Sequence, residues 1–147
     1  MEPLLAYLHY LSIILLGAFL TAELVLCRAG LGPSEIRRLP RLDIAFFGAA
    51  LLALATGLLR LFFYAKGLGF YLPNPAFSVK MALYVIIALI SIVPTRRFIA
   101  WRRALDAGGP PPDPAAIAGV RRLLHLELAL AALMPLAAVL MARGVGR

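Results

Sequence analysis

The sequence predicts an all-α polytopic membrane protein, a four-transmembrane-helix bundle with both termini on the outer, periplasmic side. Three observations predict it. Of 147 residues, 63% are hydrophobic and 15% charged, against about 45–50% and about 25% in soluble domains. A chain this short buries only about two-thirds of its surface on folding, so the excess apolar surface belongs in lipid. The apolar residues gather into four stretches near the ~20-residue length a bilayer requires. The connections between those stretches alternate in basic content, as topology demands. Four spans fill residues 1–147 as one domain. They leave no space for a soluble catalytic domain, so function sits inside the bundle or at its rims.

Span one covers residues 4–26. It has no basic leader and carries His9 and Glu23 within it, so it does not read as a cleaved signal peptide. Gly30, Gly32, Pro33 and Pro40 interrupt the first connection. Span two covers 42–64; its Ala45, Ala49, Ala53 and Gly57 recur every four residues, which permits close helix contact. Pro73 and Pro75 fix the second connection, and span three covers 77–101. Gly108, Gly109 and the run Pro110 to Pro112 stiffen the third connection. Span four covers 123–142. Pro94 and Pro135 lie inside spans three and four and are expected to kink them.

Arg28, Arg37, Arg38 and Arg41 flank the first connection, and Arg96, Arg97, Arg102, Arg103, Arg121 and Arg122 flank the third. The second holds Lys66. Positive charge stays on the cytoplasmic side, so connections one and three face the cytoplasm of a multi-pass bacterial inner-membrane protein. The net charge of +8 therefore reports topology, and no nucleic-acid partner is expected. Cys27 is the single cysteine, which precludes an internal disulfide.

Ionisable groups within spans are costly and mark functional suspects. They fall into two layers. His9, Arg60 and Lys80 come from three helices to one depth near the outer boundary, with no acid at that level except Glu2 in the tail. Like charges do not gather in a low-dielectric layer uncompensated, so an anionic ligand is expected there. Lys80, Tyr84, Ser91 and Thr95 share one helical arc, and so do His9, Ser12 and Glu23. The plainer reading of each cation is snorkelling to the headgroups, and of His9 a packing histidine bonded to a backbone carbonyl. The inner layer includes Glu23, Arg41, Asp43, Arg96, Arg122, His125 and Glu127. There acids and bases match, so a structural ion-pair network is the default, with a proton path or a quinone rim as the functional alternative. His9 and His125 lie near opposite faces and cannot share a metal. A haem held by His9 alone stays open, with Lys80 or water as sixth ligand and Arg60 at a propionate.

The runs LHYLSI, AELVLCR, RLDIAFFGAALLALATGLLR, NPAFSVKMAL and RRLLHLELALAALMP resemble a bacterial family of four-helix membrane proteins of unknown function. That resemblance covers most of the chain and implies a fold. A weaker one is to the HemJ-type protoporphyrinogen oxidases, in which a span-one histidine and a span-three lysine mark a b-type haem and porphyrin site. His9 and the Lys80 of SVKMAL occupy comparable places, and the WRR end of span three and Glu127 are similar in position. The chain departs from that pattern around His9 and in the HLE run of span four.

Two functional classes follow. One is a haem-dependent membrane oxidoreductase, with haem b or porphyrin at His9, Lys80, Arg60 and Tyr84 and quinone as electron acceptor. The other is a non-catalytic accessory or lipid-binding subunit whose cations hold a lipid phosphate or a partner's acidic loop. A transporter ranks behind both, because four spans make a narrow bundle. Expected partners are membrane lipids and either further copies of the chain or a larger membrane complex.

Overall fold

The computed structural model describes residues 1–64 and 68–143. Its long helices are α1 (Glu2–Leu26), α2 (Pro33–Phe63), α4 (Pro75–Asp106) and α5 (Pro114–Ala142), with a short α3 (Leu68–Tyr71) in the second connection. Each long helix has the length and apolar content to cross a membrane. The chain is thus an all-helical protein with four candidate membrane spans. Helix α1 begins and α5 finishes at the same end of the bundle, here the terminal end. The opposite end carries the arginine-flanked connections and is the basic end.

The helices at the basic end outrun the apolar stretches. Gly30 adopts a left-handed φ of 72°, the conformation that lets the chain reverse after α1 at no side-chain cost. Helix α2 then starts at Pro33, with the Gly32 N–H donating to Glu35 Oε2 at 3.1 Å. Pro40, read from sequence as part of the connection, lies inside α2. As the eighth residue of α2 it lacks the N–H that would bond the Ile36 carbonyl, yet the helix continues through it with its ring buried. Likewise α4 continues to Asp106 and α5 starts at Pro114, outside the 77–101 and 123–142 segments. Pro94 and Pro135 sit within α4 and α5, both of which continue through them. Gly108, at φ 70°, turns the chain out of α4.

Packing is uneven along the bundle axis. Helix α1 packs chiefly on α2, and α4 chiefly on α5, giving two hairpins with thinner contact between them. At the basic end the hairpins meet through Leu20, Leu39, Phe98 and Leu124, each wholly buried. Phe98 and Trp101 hold their rings 5.9 Å apart in that core. Toward the terminal end, buried side chains are fewer and smaller, among them Ala53, Thr56 and Ala137. Ile14, Ile44, Leu51, Phe63, Leu89 and Leu136 are exposed on the bundle surface, where lipid would cover them.

Arg121 ties α5 to the end of α1. Its Nη1 donates to the Leu24 carbonyl at 3.0 Å and the Cys27 carbonyl at 2.6 Å. Carbonyls at a helix C-terminus lack partners and carry the negative pole of the helix dipole. Arg121→Leu is expected to cost about 2 kcal/mol, the scale of a hydrogen bond to a charged group. The exposed Arg122→Leu is expected to change stability by less than about 0.5 kcal/mol. Unfolding of both variants in one detergent checks this; equal loss would remove the capping role. The surface pairs Arg28–Glu35 (3.7 Å), Arg37–Asp106 (3.6 Å) and Arg102–Asp106 (3.8 Å) contribute little by comparison.

Candidate functional site: a chamber at the terminal end

Where the hairpins diverge, they border a half-open chamber of about 690 Å³, within the range of about 300–1,000 Å³ typical of small-molecule sites. All four long helices wall it. His9 and Ile13 come from α1, Gly57 and Arg60 from α2, Lys80, Met81 and Tyr84 from α4, and Ala131 and Pro135 from α5. Tyr71 of α3 reaches it from the connection. The lining is mostly apolar, with the polar groups confined to a few side chains.

His9 is fixed from behind. Its Nδ1 lies 3.0 Å from the Ala53 carbonyl and 3.1 Å from Thr56 Oγ1. A carbonyl only accepts, so Nδ1 is the protonated nitrogen and donates. Thr56 Oγ1 is free to accept, because its own hydrogen goes to the Leu52 carbonyl at 2.6 Å. Nε2 is therefore the nitrogen with the lone pair. It has no hydrogen-bond partner among the described residues. A Cβ at Gly57 would stand 3.0 Å from His9 Cε1, so glycine there admits the imidazole between α1 and α2. The small-residue repeat of span two thus does two things. Ala49 and Ala53 are buried at the helix contact, and Gly57 makes room for a ring.

Arg60 and Lys80 line the same chamber, and the charges of both reach His9. Neither forms an ion pair among the described residues. The Arg60 guanidinium lies 5.7 Å from the centre of the Tyr10 ring, a cation–π contact that orients it. Tyr84 contributes its ring to the wall, while its hydroxyl donates to the Ala50 carbonyl at 2.8 Å. The four outer residues chosen from sequence, His9, Arg60, Lys80 and Tyr84, thus border one space. The residue that sequence reasoning missed is Thr56, which supports His9; Tyr71, Met81 and Ala131 also shape the wall.

The inner layer is arranged differently from the expected ion-pair network. Glu23, Asp43 and Glu127 are buried, whereas Arg41, Arg96, Arg122 and His125 are exposed. Among the described residues no ion pair joins the two sets. Helical phase is the reason. Arg41 precedes Asp43 by two residues and His125 precedes Glu127 by two, a rotation of about 200° that puts base and acid on opposite faces. His125 turns back on its own helix, with Nδ1 2.7 Å from the Arg121 carbonyl. Asp43 accepts from the Thr95 hydroxyl at 3.0 Å.

No curated protein and no solved structure matches the chain, so the HemJ-type likeness rests only on the residues that suggested it. A family model described as "Predicted membrane protein (DUF2214)" matches residues 1–146. With that match spanning almost the whole sequence and four helices fit to cross a bilayer, the chain belongs to the DUF2214 family of predicted membrane proteins.

Proposed function

We propose that the chamber binds haem b or a related porphyrin, and that the protein is a small membrane redox protein with quinone as the class of electron acceptor. The observation that carries this reading is His9. Its Nδ1–H is tied to a backbone carbonyl and its Nε2 lone pair is left over, the arrangement usual for a metal-ligating histidine. A planar apolar ring system with carboxylates also suits a mostly apolar chamber holding two unpaired cations. His9 Nε2 would ligate the iron, and Arg60 and Lys80 would meet the propionates. The bound haem would supply one-electron chemistry. Around it Ile13, Met81, Ala131 and Pro135 exclude water, and Tyr84 braces the wall. An absorbance spectrum of purified protein tests the reading. A Soret band, with α and β bands on reduction, is expected; a colourless protein that takes up no added haemin overturns it.

One observation favours a second reading. Arg60 and Lys80 lie near the helix ends, where phosphate headgroups sit, so the same cations suit a lipid phosphate in an accessory subunit. Colourless protein with stoichiometric phospholipid would select that reading.

We also propose that the basic end faces the cytoplasm of a bacterial inner membrane, with the chamber and both termini outside. Ten of the fifteen basic residues flank the first and third connections, which supports this orientation. Leu72→Cys is expected to react with an impermeant thiol reagent on intact cells, and Ala107→Cys only after lysis. Native Cys27 is silent in this test: it is wholly buried, and burial pushes its thiol up to about 11 despite the nearby Arg121. The reverse labelling pattern would invert the topology.

A further inference from the structure

Beneath the chamber, the interior of the bundle holds three carboxyl groups from three helices: Glu23 of α1, Asp43 of α2 and Glu127 of α5. Glu23 and Glu127 are each 1% exposed and Asp43 4%. Asp43 and Glu127 act on Glu23 through their charges, and Asp43 on Glu127, with no hydrogen bond joining the three among the described residues. Oε1 of Glu23 and Oε1 of Glu127 are both buried without a hydrogen-bond partner. Asp43 has one, the Thr95 hydroxyl.

The charges facing this cluster can be named helix by helix. Cys27, the residue after α1, adds a thiol one turn below Glu23, and α2 buries no charged side chain besides Asp43. Helix α4 presents Ser91 and Thr95, both uncharged. Helix α5 adds Arg121, whose guanidinium is spent on the Leu24 and Cys27 carbonyls. No lysine or arginine among the described residues pairs with any of the three acids. Three uncompensated carboxylates in one low-dielectric site would repel one another and forfeit their solvation. Something positive must join them. Among the described residues no three metal-binding side chains are placed to hold a metal ion. A proton is the cation that needs no such cage. It also removes the charge that burial penalises on the two acids whose oxygens lack a partner.

We propose that Glu23, Asp43 and Glu127 form a proton-binding site inside the bundle, filled by way of Asp43. Asp43 has the access. It and Thr95 border a surface groove between α2 and α4, lined also by Pro40, Phe47, Gly48 and Ile99. Protons enter at Asp43 and are shared with Glu23 and Glu127 behind it; no covalent bond other than O–H changes. The site is independent of what the chamber holds.

Infrared difference spectra of the purified full-length protein, stepped through pH in H₂O and D₂O, test the proposal. A protonated-carboxyl C=O band is expected to persist at neutral pH, where solvent-exposed carboxyls are ionised. Glu23→Gln and Glu127→Gln are each expected to remove part of that band, and the double variant all of it. Asp43→Asn is expected to slow the H/D shift of what remains. Where the double variant does not fold, each single variant subtracted from wild type gives the same readout. Absence of the band from wild type at neutral pH overturns the proposal, and so does an undiminished band in both single variants. A band abolished by sodium or calcium at constant pH also overturns it, by assigning the site to a metal cation.

Discussion

His9→Ala is expected to purify without haem under conditions in which wild type and His125→Ala both retain it. The expected effect is loss of the cofactor, because the variant removes the chamber's imidazole nitrogen. Lys80 and Met81 remain at the wall, but neither is held as His9 is, by a backbone carbonyl at 3.0 Å and a threonine hydroxyl at 3.1 Å. His125 is exposed and bonded to its own helix, so its removal leaves the chamber untouched. Thr56→Val grades the claim. It deletes one of two acceptors behind Nδ1 while keeping side-chain volume. Loss of such a supporting partner typically lowers metal affinity by about 10–100-fold, so a measurable weakening short of abolition is expected. Cofactor content per protein, read by pyridine haemochrome, checks all four proteins. Equal haem in His9→Ala and wild type would remove His9 from the site and favour the lipid-phosphate reading.

What was legible in the sequence follows from the physics of each signal. Hydropathy sums over some twenty residues, so the four spans survive any local uncertainty. Helix ends depend on one or two residues, and there the sequence misled. Pro40 looks like a breaker, yet α2 runs through it with the loss of one ladder bond and with the ring buried. The short α3 has no period to betray it. The chamber residues were legible because depth can be counted from span ends, and His9, Arg60 and Lys80 count to one level. What holds His9 was not. Its partners Ala53 and Thr56 are 44 and 47 residues away, and only the four-residue spacing ending at Gly57 hinted where α1 meets α2. The inner layer shows the opposite failure. Composition balanced acids against bases, but phase, which a charge count ignores, sends Arg41 and His125 outward while Asp43 and Glu127 turn in.

Phe98→Ala is expected to be the most destabilising single truncation, at about 3 kcal/mol, the lower end of the range for removing a buried aromatic ring. Ile13→Ala, at the chamber wall, is expected to cost less than about 1 kcal/mol. The two positions differ in what surrounds them. Phe98 is wholly buried against Trp101, in the core that joins the two hairpins. Ile13 is only partly buried and borders open space. Lipid tails are as apolar as the protein interior, so the loss at Phe98 is chiefly of packing contacts rather than of hydrophobic transfer. Ile13 has fewer such contacts to lose, because one side already faces the chamber. The order should narrow when the chamber is filled, since a ligand that binds only the folded protein stabilises it and gives Ile13 a partner. Unfolding midpoints of both variants in one detergent, with and without added haemin, check this. Equal costs at the two positions would mean that the bundle is uniformly packed and that the divergence of the hairpins does not exist in the folded protein.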